Sequence, residues 1–202
     1  MSVSVEYSTK EISQVVLTNT LKMLVNRKMI KDNDKLFNET KDEFVSKGLV
    51  EFKDDMNNKI SINLFTGKIA SIVQGSPLND YVRSNLDVHK IIILKEKTKK
   101  VVKQIMEFPN TEFFFEDELM ENITEKYFIP EHILLTPEEK DEFLTIFKDT
   151  ELSKINDMDR MSRYYYAKPG DIFKIIRPSL TAGNNIFYRR VVTGNLLQLF
   201  NS

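Results

Sequence analysis

The chain has 202 residues, of which 41 % are hydrophobic and 29 % charged, with a net charge of −1 and no cysteine. This size fits one large domain or two small ones, and the apolar content suffices for a buried core. The near-zero net charge argues against global attraction to nucleic acid, and the lack of cysteine excludes disulfides, zinc ribbons and cysteine nucleophiles. Residues 1–6 show no signal peptide, and no apolar run approaches the roughly 20 residues of a membrane helix. We therefore expect a soluble, intracellular protein.

Residues 1–125 contain alternating helical and strand patterns. Ser8 and Glu11 have the spacing of a capping box and predict a helix from Ser8 to about Arg27. Further helices are predicted at residues 40–47, ended by Gly48, and at 77–86 and 97–108. Strands are predicted at residues 59–65, 68–73, 89–94 and 111–115. Strands that alternate with helices favour an α/β arrangement with a mixed sheet.

A second domain is predicted to begin near residue 126, after an acidic stretch. Thr136 at the N-cap, Pro137 at the first helical position and Glu139 in a capping box predict a helix whose buried face contains Phe143, Leu144 and Phe147. Strands are predicted at residues 133–135, 171–177 and 186–192. We expect Pro178 to end strand pairing and residues 181–185 to form a loop. The pattern predicts a small α+β domain.

Two sequence blocks carry a specific resemblance. Residues 129–139 (IPEHILLTPEE) precede residues 168–183 (KPGDIFKIIRPSLTAG), and a strand with Tyr188 and Arg189 follows. The blocks resemble the C-terminal assembly domain of the fifth-largest subunit of eukaryotic nuclear RNA polymerases. A small subunit of archaeal RNA polymerases is similar and consists of little more than that domain. This resemblance spans residues 127–192. Residues 1–125 resemble the family's jaw domain more loosely, in length, element order and the junction at residues 122–125.

The chain also departs from the family's pattern. Leu180 stands where the family has an acidic residue, and Asn184 and Asn185 replace a basic-aromatic pair. Residues 152–155 and 159–162 differ from the family's usual segments, and residues 193–202 extend past its usual end. With the bias toward Lys, Asn and Ile, these departures indicate a divergent homologue, with a giant DNA virus as a candidate source.

The resemblance implies an α/β N-terminal jaw domain (residues 1–125) and a small α+β C-terminal assembly domain (residues 126–202). It implies a non-catalytic subunit of DNA-dependent RNA polymerase that docks on the largest subunit, contacts other polymerase subunits and forms part of the jaw around downstream duplex DNA. Such a chain is not expected to be a homo-oligomer or to bind a membrane. It would lie in the nucleus if cellular, and in the virion or a cytoplasmic viral factory if viral.

Residues 160–190 contain seven basic residues and one acid, Asp171. Arginine favours interfaces because its guanidinium binds carboxylates through two hydrogen bonds. Because this domain docks on the largest subunit in the family, the resemblance implies that the following residues bind the partner: Arg177, Pro178, Thr181, Ala182, Gly183, Tyr188 and Arg189. The alternative is that the charged residues among them are only solvated. For Tyr164, Tyr165 and Tyr166, docking and core packing both stay open.

A cluster of lysines follows the strand predicted at residues 89–94, with only Glu96 opposing it. Its members are Lys95, Lys97, Lys99, Lys100 and Lys103. In the family the corresponding loop faces downstream DNA, and phosphate contacts need no sequence specificity. The family's Thr-Pro-Ser-Ala pattern is absent here, so a DNA contact and a solvated helix start both fit.

No catalytic residue, cofactor or metal site is expected. His89 and His132 lack the neighbours of a metal site or a nucleophile relay, and no Gly-rich phosphate loop occurs. Two alternatives to the polymerase subunit are a free-standing DNA-binding transcription regulator and a metal-dependent nuclease. The net charge and the missing helix-turn-helix and zinc patterns argue against the regulator. The missing constellation of Asp, Glu and Lys argues against the nuclease.

Overall fold

The computed structural model describes residues 7–148, 151–179 and 183–200. The chain divides into two compact units, Met1–Asn122 and Ile123–Ser202, and each contains one mixed four-stranded sheet. The predicted boundary at residues 125 and 126 lies near this division and stays a prediction. Within the described ranges, no helix combines the length and the apolar character needed to cross a membrane.

The N-terminal unit has a sheet of strand order β1-β2-β3-β4. Its strands are β1 (Leu49–Lys53), β2 (Lys59–Phe65), β3 (His89–Leu94) and β4 (Thr111–Phe115). Its helices are α1 (Thr9–Asn26), α2 (Asn33–Lys47), α3 (Pro77–Arg83), α4 (Lys99–Ile105) and α5 (Glu116–Leu119). Strands β1 and β2 pair antiparallel, whereas β2, β3 and β4 are parallel. The mixed sheet is therefore as predicted.

Local signals set the ends of the first two helices. The capping box of Ser8 and Glu11 is confirmed at the start of α1. Helix α2 begins earlier than predicted because the side chain of Asp32 caps it. Gly48 ends α2 as predicted, in the left-handed conformation, and a Cβ there would lie 2.9 Å from the carbonyl oxygen of Leu64.

The strand predicted at residues 68–73 is wrong, and strand β1 was not predicted. Strand β1 pairs with β2 through a turn in which the Asp54 carboxylate accepts hydrogen bonds from the backbone of Met56 and Asn58. Because β1 and β3 occupy both edges of β2, residues 68–73 cannot form a hairpin with the strand that precedes them. Instead, the backbone of Ile72 exchanges two hydrogen bonds with the side chain of Gln104 on α4.

A buried ion pair connects the end of α1 to strand β4. The Arg27 guanidinium donates two hydrogen bonds, of 2.6 and 2.8 Å, to the Glu112 carboxylate, and both side chains are less than a tenth exposed. His89 Nε2 lies 2.7 Å from the same carboxylate. Burial alone would raise the pKa of Glu112, but Arg27 and His89 outweigh it and lower the pKa to about 2.

Lys90 explains how a charged residue fits in the apolar strand β3. Its side chain is buried, and Nζ donates hydrogen bonds to the carbonyl oxygens of Val82 and Ser84 at the end of α3. A cation at this position satisfies carbonyl groups that the helix leaves unpaired. Burial lowers the pKa of Lys90, an effect that the charge of Glu51 opposes.

The C-terminal unit has a sheet of strand order β5-β7-β8-β6. Its strands are β5 (Glu131–Leu134), β6 (Ser153–Asn156), β7 (Ile172–Ser179) and β8 (Gly183–Val192). Its helices are α6 (Pro137–Ile146) and α7 (Arg160–Tyr164), with short 3-10 turns at Ile123–Glu125 and Leu196–Phe200. Strand β7 pairs antiparallel with β5 and β8, whereas β6 runs parallel to β8.

Pro178 does not end the pairing of β7, contrary to the prediction. The β7–β8 register continues to Ser179, opposite Gly183. The backbone N–H of Val191 donates to the carbonyl of Asp171 at 2.8 Å, so odd-numbered residues of β7 bond to β8 and even-numbered residues face away. The nitrogen of Pro178 therefore faces away from β8, and its missing N–H costs this ladder nothing.

Two elements of the C-terminal unit were not predicted, and one predicted face is less buried than expected. Strand β6 and helix α7 are short, and β6 has one buried residue, Ile155. The expected loop at residues 181–185 is strand from Gly183 onward. The capping box that starts α6 is confirmed. However, no residue of α6 is buried: Phe143 and Leu144 are only half-buried, and the third predicted core residue, Phe147, is exposed.

We predict that Glu112→Gln lowers the free energy of unfolding by about 3–5 kcal/mol at pH 7, because it removes the negative charge that contacts the buried Arg27 guanidinium. The folded-state pKa of Glu112 is below its usual 4.5. The charged Glu112 carboxylate therefore stabilises the folded chain above about pH 4.5, and this stabilisation is lost as the pH falls toward about 2. Urea unfolding at pH 7 and at pH 3 should show the difference between the variant and the wild type shrinking in acid.

The matched control is Glu43→Gln, which removes an exposed ion pair with Lys47 of 2.9 Å. Exposed pairs contribute about 0–1 kcal/mol, so we expect a change within that range. Equal losses in the two variants would contradict a structural role for the buried pair.

Candidate binding surfaces

Strands β7 and β8 present two chemically different faces. On one face Phe173, Ile175 and Val191 pack with Ile155 and Ala167 into the core of the C-terminal unit. Because side chains alternate along a strand, Phe187 and Arg189 of β8 belong to the same face as these residues. This face therefore changes from a buried core to an exposed surface toward the end of the hairpin.

A cavity of about 530 Å³ opens on this face, and we call it the basic groove. Its apolar lining includes Ile123, Ile129, Pro130, Ile155, Met161, Ile175 and Phe187. Three arginines also line it: Arg160, Arg177 and Arg189. The groove thus combines an apolar surface with positive charge, a combination suited to a segment that carries both apolar and acidic side chains.

The charges in the groove are unbalanced. Asp159 is the one carboxylate among its lining residues, and its oxygen accepts a hydrogen bond of 2.8 Å from the backbone of Met161 as the cap of α7. Arg177 and Arg189 are both exposed, and neither forms an ion pair within the described part of the chain. The two guanidinium groups are therefore available to a partner's carboxylates.

His132 lies at the bottom of the groove and has a structural role. Its Nδ1 donates a 2.7 Å hydrogen bond to the carbonyl oxygen of Pro130, and its ring packs edge-on against Phe173. Burial lowers the pKa of His132, the Pro130 carbonyl and Asp159 oppose this change, and Arg189 adds to it. A neutral imidazole with its proton on Nδ1 is the form that fits these contacts.

The predicted partner residue Tyr188 already packs within its own unit. It lies on the face opposite the groove, where its ring is 4.3 Å from that of Phe143 and 6.5 Å from that of Phe147. It is half-buried, so α6 covers part of this face through aromatic contacts. Partner binding by Tyr188 stays a prediction.

The three consecutive tyrosines divide between the core and the surface. Tyr164 is buried, whereas Tyr165 is half-buried and packs edge-on against Phe173. Burial raises the pKa of Tyr165 to about 12. Tyr166 lies under the Lys168 ammonium group, 3.3 Å from its ring centroid. The three tyrosine side chains therefore pack in the core or against neighbouring side chains of the same unit.

The end of the hairpin contains the other predicted partner residues. Pro178 and Gly183 are exposed, and Gly183 has a φ of 72°. Thr181 and Ala182 lie outside the described residues. Arg177, Pro178 and Gly183 are thus brought together at the exposed end of the β7–β8 hairpin.

The lysine cluster is exposed but is not opposed by Glu96 alone, as the sequence suggested. Lys97 forms a 2.9 Å ion pair with Asp117, and its ammonium group lies over the ring of Phe115. Asp117 belongs to α5, which follows β4, and β4 lies beside β3. The four remaining lysines make no ion pair among the residues that the structure describes: Lys95, Lys99, Lys100 and Lys103.

Within the described ranges, no group of three or more His, Cys, Asp and Glu side chains could hold a metal ion.

The apolar lining of the basic groove was not predicted from the sequence. Met161 and Ile155 belong to the unpredicted α7 and β6. Phe187 could have been found, since it alternates with Ile186 in a predicted strand and must therefore face the same side as Arg189.

The two sheets and the basic groove define a two-unit, mixed α/β chain with a candidate binding surface. A model of the family "RNA polymerase Rpb5, C-terminal domain" matches residues 121–191. The chain is 49 % identical over 83 residues to subunit RPABC1 of DNA-directed RNA polymerases I, II and III of Caenorhabditis elegans. That match covers 40 % of this chain and 39 % of the nematode protein, so the chain spans about two fifths of that relative's length.

Two relatives match over more of the chain. Subunit rpabc1 of the RNA polymerases of Dictyostelium discoideum is 35 % identical over 148 residues, 69 % of this chain and 75 % of that protein. DNA-directed RNA polymerase subunit 5 of Acanthamoeba polyphaga mimivirus is 31 % identical over 142 residues, 69 % of each chain. Matches of this extent must include part of the N-terminal unit. The chain belongs to the family of RNA polymerase subunit 5.

We predict that Arg189→Gln raises the pKa of His132 and that Asp159→Asn lowers it, because the first removes a repulsive charge and the second an attractive one. Asparagine retains the ability to cap α7. The chain has two histidines, so proton NMR can assign the His132 signal by its loss in a His132→Gln variant. A titration curve that does not move in the Arg189 variant would show that this arginine does not face the floor of the groove.

Proposed function

We propose that this chain is a non-catalytic subunit of DNA-dependent RNA polymerase whose C-terminal unit docks on the largest subunit through the basic groove. The observation that carries the proposal is the groove itself. In this chain of the subunit 5 family, two exposed arginines that form no ion pair among the described residues line a cavity with a largely apolar wall. The family relationship favours this function over a free-standing DNA-binding regulator.

The chemistry of the groove suits stable assembly. A partner side chain that fills the apolar lining near Phe187 would bury surface at about 25 cal/mol per Å². Carboxylates beside it would form two-point hydrogen bonds with Arg177 and Arg189. Binding energy in such interfaces concentrates in a few central aromatic and arginine residues. The docked subunit needs no catalytic group of its own.

We further propose that the lysine cluster lies beside downstream DNA in the jaw. The cluster follows β3 at the carboxyl end of the parallel strands, and four of its five ammonium groups are exposed without an ion pair in the described part of the chain. Such groups attract phosphates without reading sequence. Because Asp117 already neutralises Lys97, the other four lysines would make the phosphate contacts.

The proposed compartment is the nucleus if the chain is cellular, and the virion or a viral factory if it is viral.

Affinity purification of the chain from its native source, followed by mass spectrometry, tests the assembly proposal. We predict stoichiometric recovery of the two largest polymerase subunits with the wild type and at least about a tenfold lower recovery with Arg177→Glu. The charge reversal should weaken docking by more than about 1.4 kcal/mol while leaving the fold intact, since Arg177 is exposed.

The control is Lys10→Glu, which makes the same charge change at an exposed residue of the other unit. Normal recovery of polymerase with Arg177→Glu would count against docking through the groove. Recovery of the wild-type chain alone would count against the polymerase function itself.

We predict that neutralising the four free lysines reduces the salt dependence of elongation-complex stability, because each lost phosphate contact lowers the slope of log K against log salt by about 0.9. The substituted residues are Lys95, Lys99, Lys100 and Lys103, each changed to Gln. A matched variant changes four exposed lysines elsewhere in the N-terminal unit: Lys31, Lys35, Lys47 and Lys59. Equal slopes of log K against log salt in the two variants and the wild type would contradict the proposed DNA contact.

A further inference from the structure

One edge of strand β8 is open over half its length. Strand β6 pairs with β8 only from Arg189 to Val192, so β8 has no neighbour on that side from Gly183 to Tyr188 among the described residues. On its other side, β8 pairs with β7 from Gly183 to Arg190. Residues 183–187 are all exposed, so nothing else covers this edge in the part of the chain that the structure describes.

The register shows which backbone groups face the open edge. The hydrogen bond from Val191 to Asp171 makes odd-numbered residues of β8 bond to β7. Asn184 and Ile186 therefore point their N–H and C=O groups away from β7, and neither forms a backbone hydrogen bond across this edge within the described ranges. Each of these residues offers one donor and one acceptor to an additional strand.

The corresponding edge of β7 is closed to such pairing. Beyond the end of β5, which pairs as far as Ile176, the next residue of β7 to face outward is Pro178. Proline has no N–H to donate, and natural sheets use it to protect exposed edges. On β8, the outward positions Asn184 and Ile186 carry neither proline nor charge. The hairpin therefore has one blocked edge and one receptive edge.

Side chains around the open edge indicate the chemistry of its partner. Ile186 and Phe187 are 51 % and 49 % exposed and lie on opposite faces of β8, so an added strand would cover apolar surface on both sides. The hairpin strands contain four basic residues and no acid: Lys174, Arg177, Arg189 and Arg190. This charge complements an acidic segment and repels a second copy of the same hairpin.

We propose that the open edge of β8 at Asn184 and Ile186 binds an extended segment of a neighbouring polymerase chain that carries apolar and acidic side chains. The segment adds a strand to the sheet in line with β6. This inference rests on the proposed function and adds to it a specific mode of docking, in which main-chain hydrogen bonds supplement the side-chain contacts of the basic groove.

Site-directed cross-linking tests the proposal. The chain has no cysteine, so Asn184→Cys provides a single attachment site for a photoactivatable cross-linker in the assembled polymerase. The control is Glu142→Cys, at an exposed residue of α6 in the same unit. We expect Asn184→Cys to cross-link to an extended acidic segment of another subunit, with at least about a fivefold lower yield for Glu142→Cys.

A second comparison separates the backbone from the side chain. Ile186→Pro removes the outward N–H without affecting the β7 ladder, just as Pro178 is tolerated on β7, whereas Ile186→Ala shortens the side chain and keeps the N–H. We expect Ile186→Pro to lower recovery of polymerase about tenfold, and Ile186→Ala to lower it about threefold or less.

The outcomes distinguish the two proposals. Cross-linking to another copy of this chain, or equal cross-linking from Asn184→Cys and Glu142→Cys, would overturn the strand-addition proposal. An Asn184→Cys chain that assembles into polymerase without cross-linking would also overturn it and leave the subunit function standing. Failure of the wild-type chain to assemble would instead overturn the proposed function.

Discussion

The C-terminal unit depends on the pairing of β7 with β8, because each of the other two strands of its sheet pairs with one of these two. The register places Ile175 opposite Phe187, so that the core face continues into the basic groove. It also places Arg177 and Arg189 in that groove. A slip of one residue would move every side chain of β8 to the other face. The pairing therefore fixes both the core and the binding surface.

The charged side chains fall into a buried set and an exposed set. In the N-terminal unit, Arg27 and Glu112 are buried as a pair, and Lys90 is buried on the carbonyl groups that end α3. These charges satisfy each other or the backbone, which is the condition for burying them. By contrast, six cations are exposed and form no ion pair among the residues that the structure describes: Lys95, Lys99, Lys100 and Lys103 after β3, and Arg177 and Arg189 in the groove. A net charge near zero thus conceals local groups of cations that can bind anionic partners.

Much of the fold could be predicted from local signals. The strands at 59–65, 89–94 and 111–115 and the capped starts of α1 and α6 follow from apolar runs and capping residues. Strands β1 and β6 were missed because each has only four or five residues, too few to show a clear pattern of apolar residues. In the candidate site, Arg177 and Arg189 were found from charge and resemblance. The groove was not, because it requires α7 and β6 to be packed beside β8.

We propose that the β7–β8 hairpin and its groove hold the chain in the polymerase. Hydrogen–deuterium exchange with mass spectrometry, comparing the free chain with the chain in the purified polymerase, tests it most directly. We expect peptides covering residues 172–179 and 183–190 to exchange at least about tenfold more slowly in the complex, since their exposed amides become covered. Unchanged exchange in the hairpin, with protection confined to the N-terminal unit, would contradict the claim.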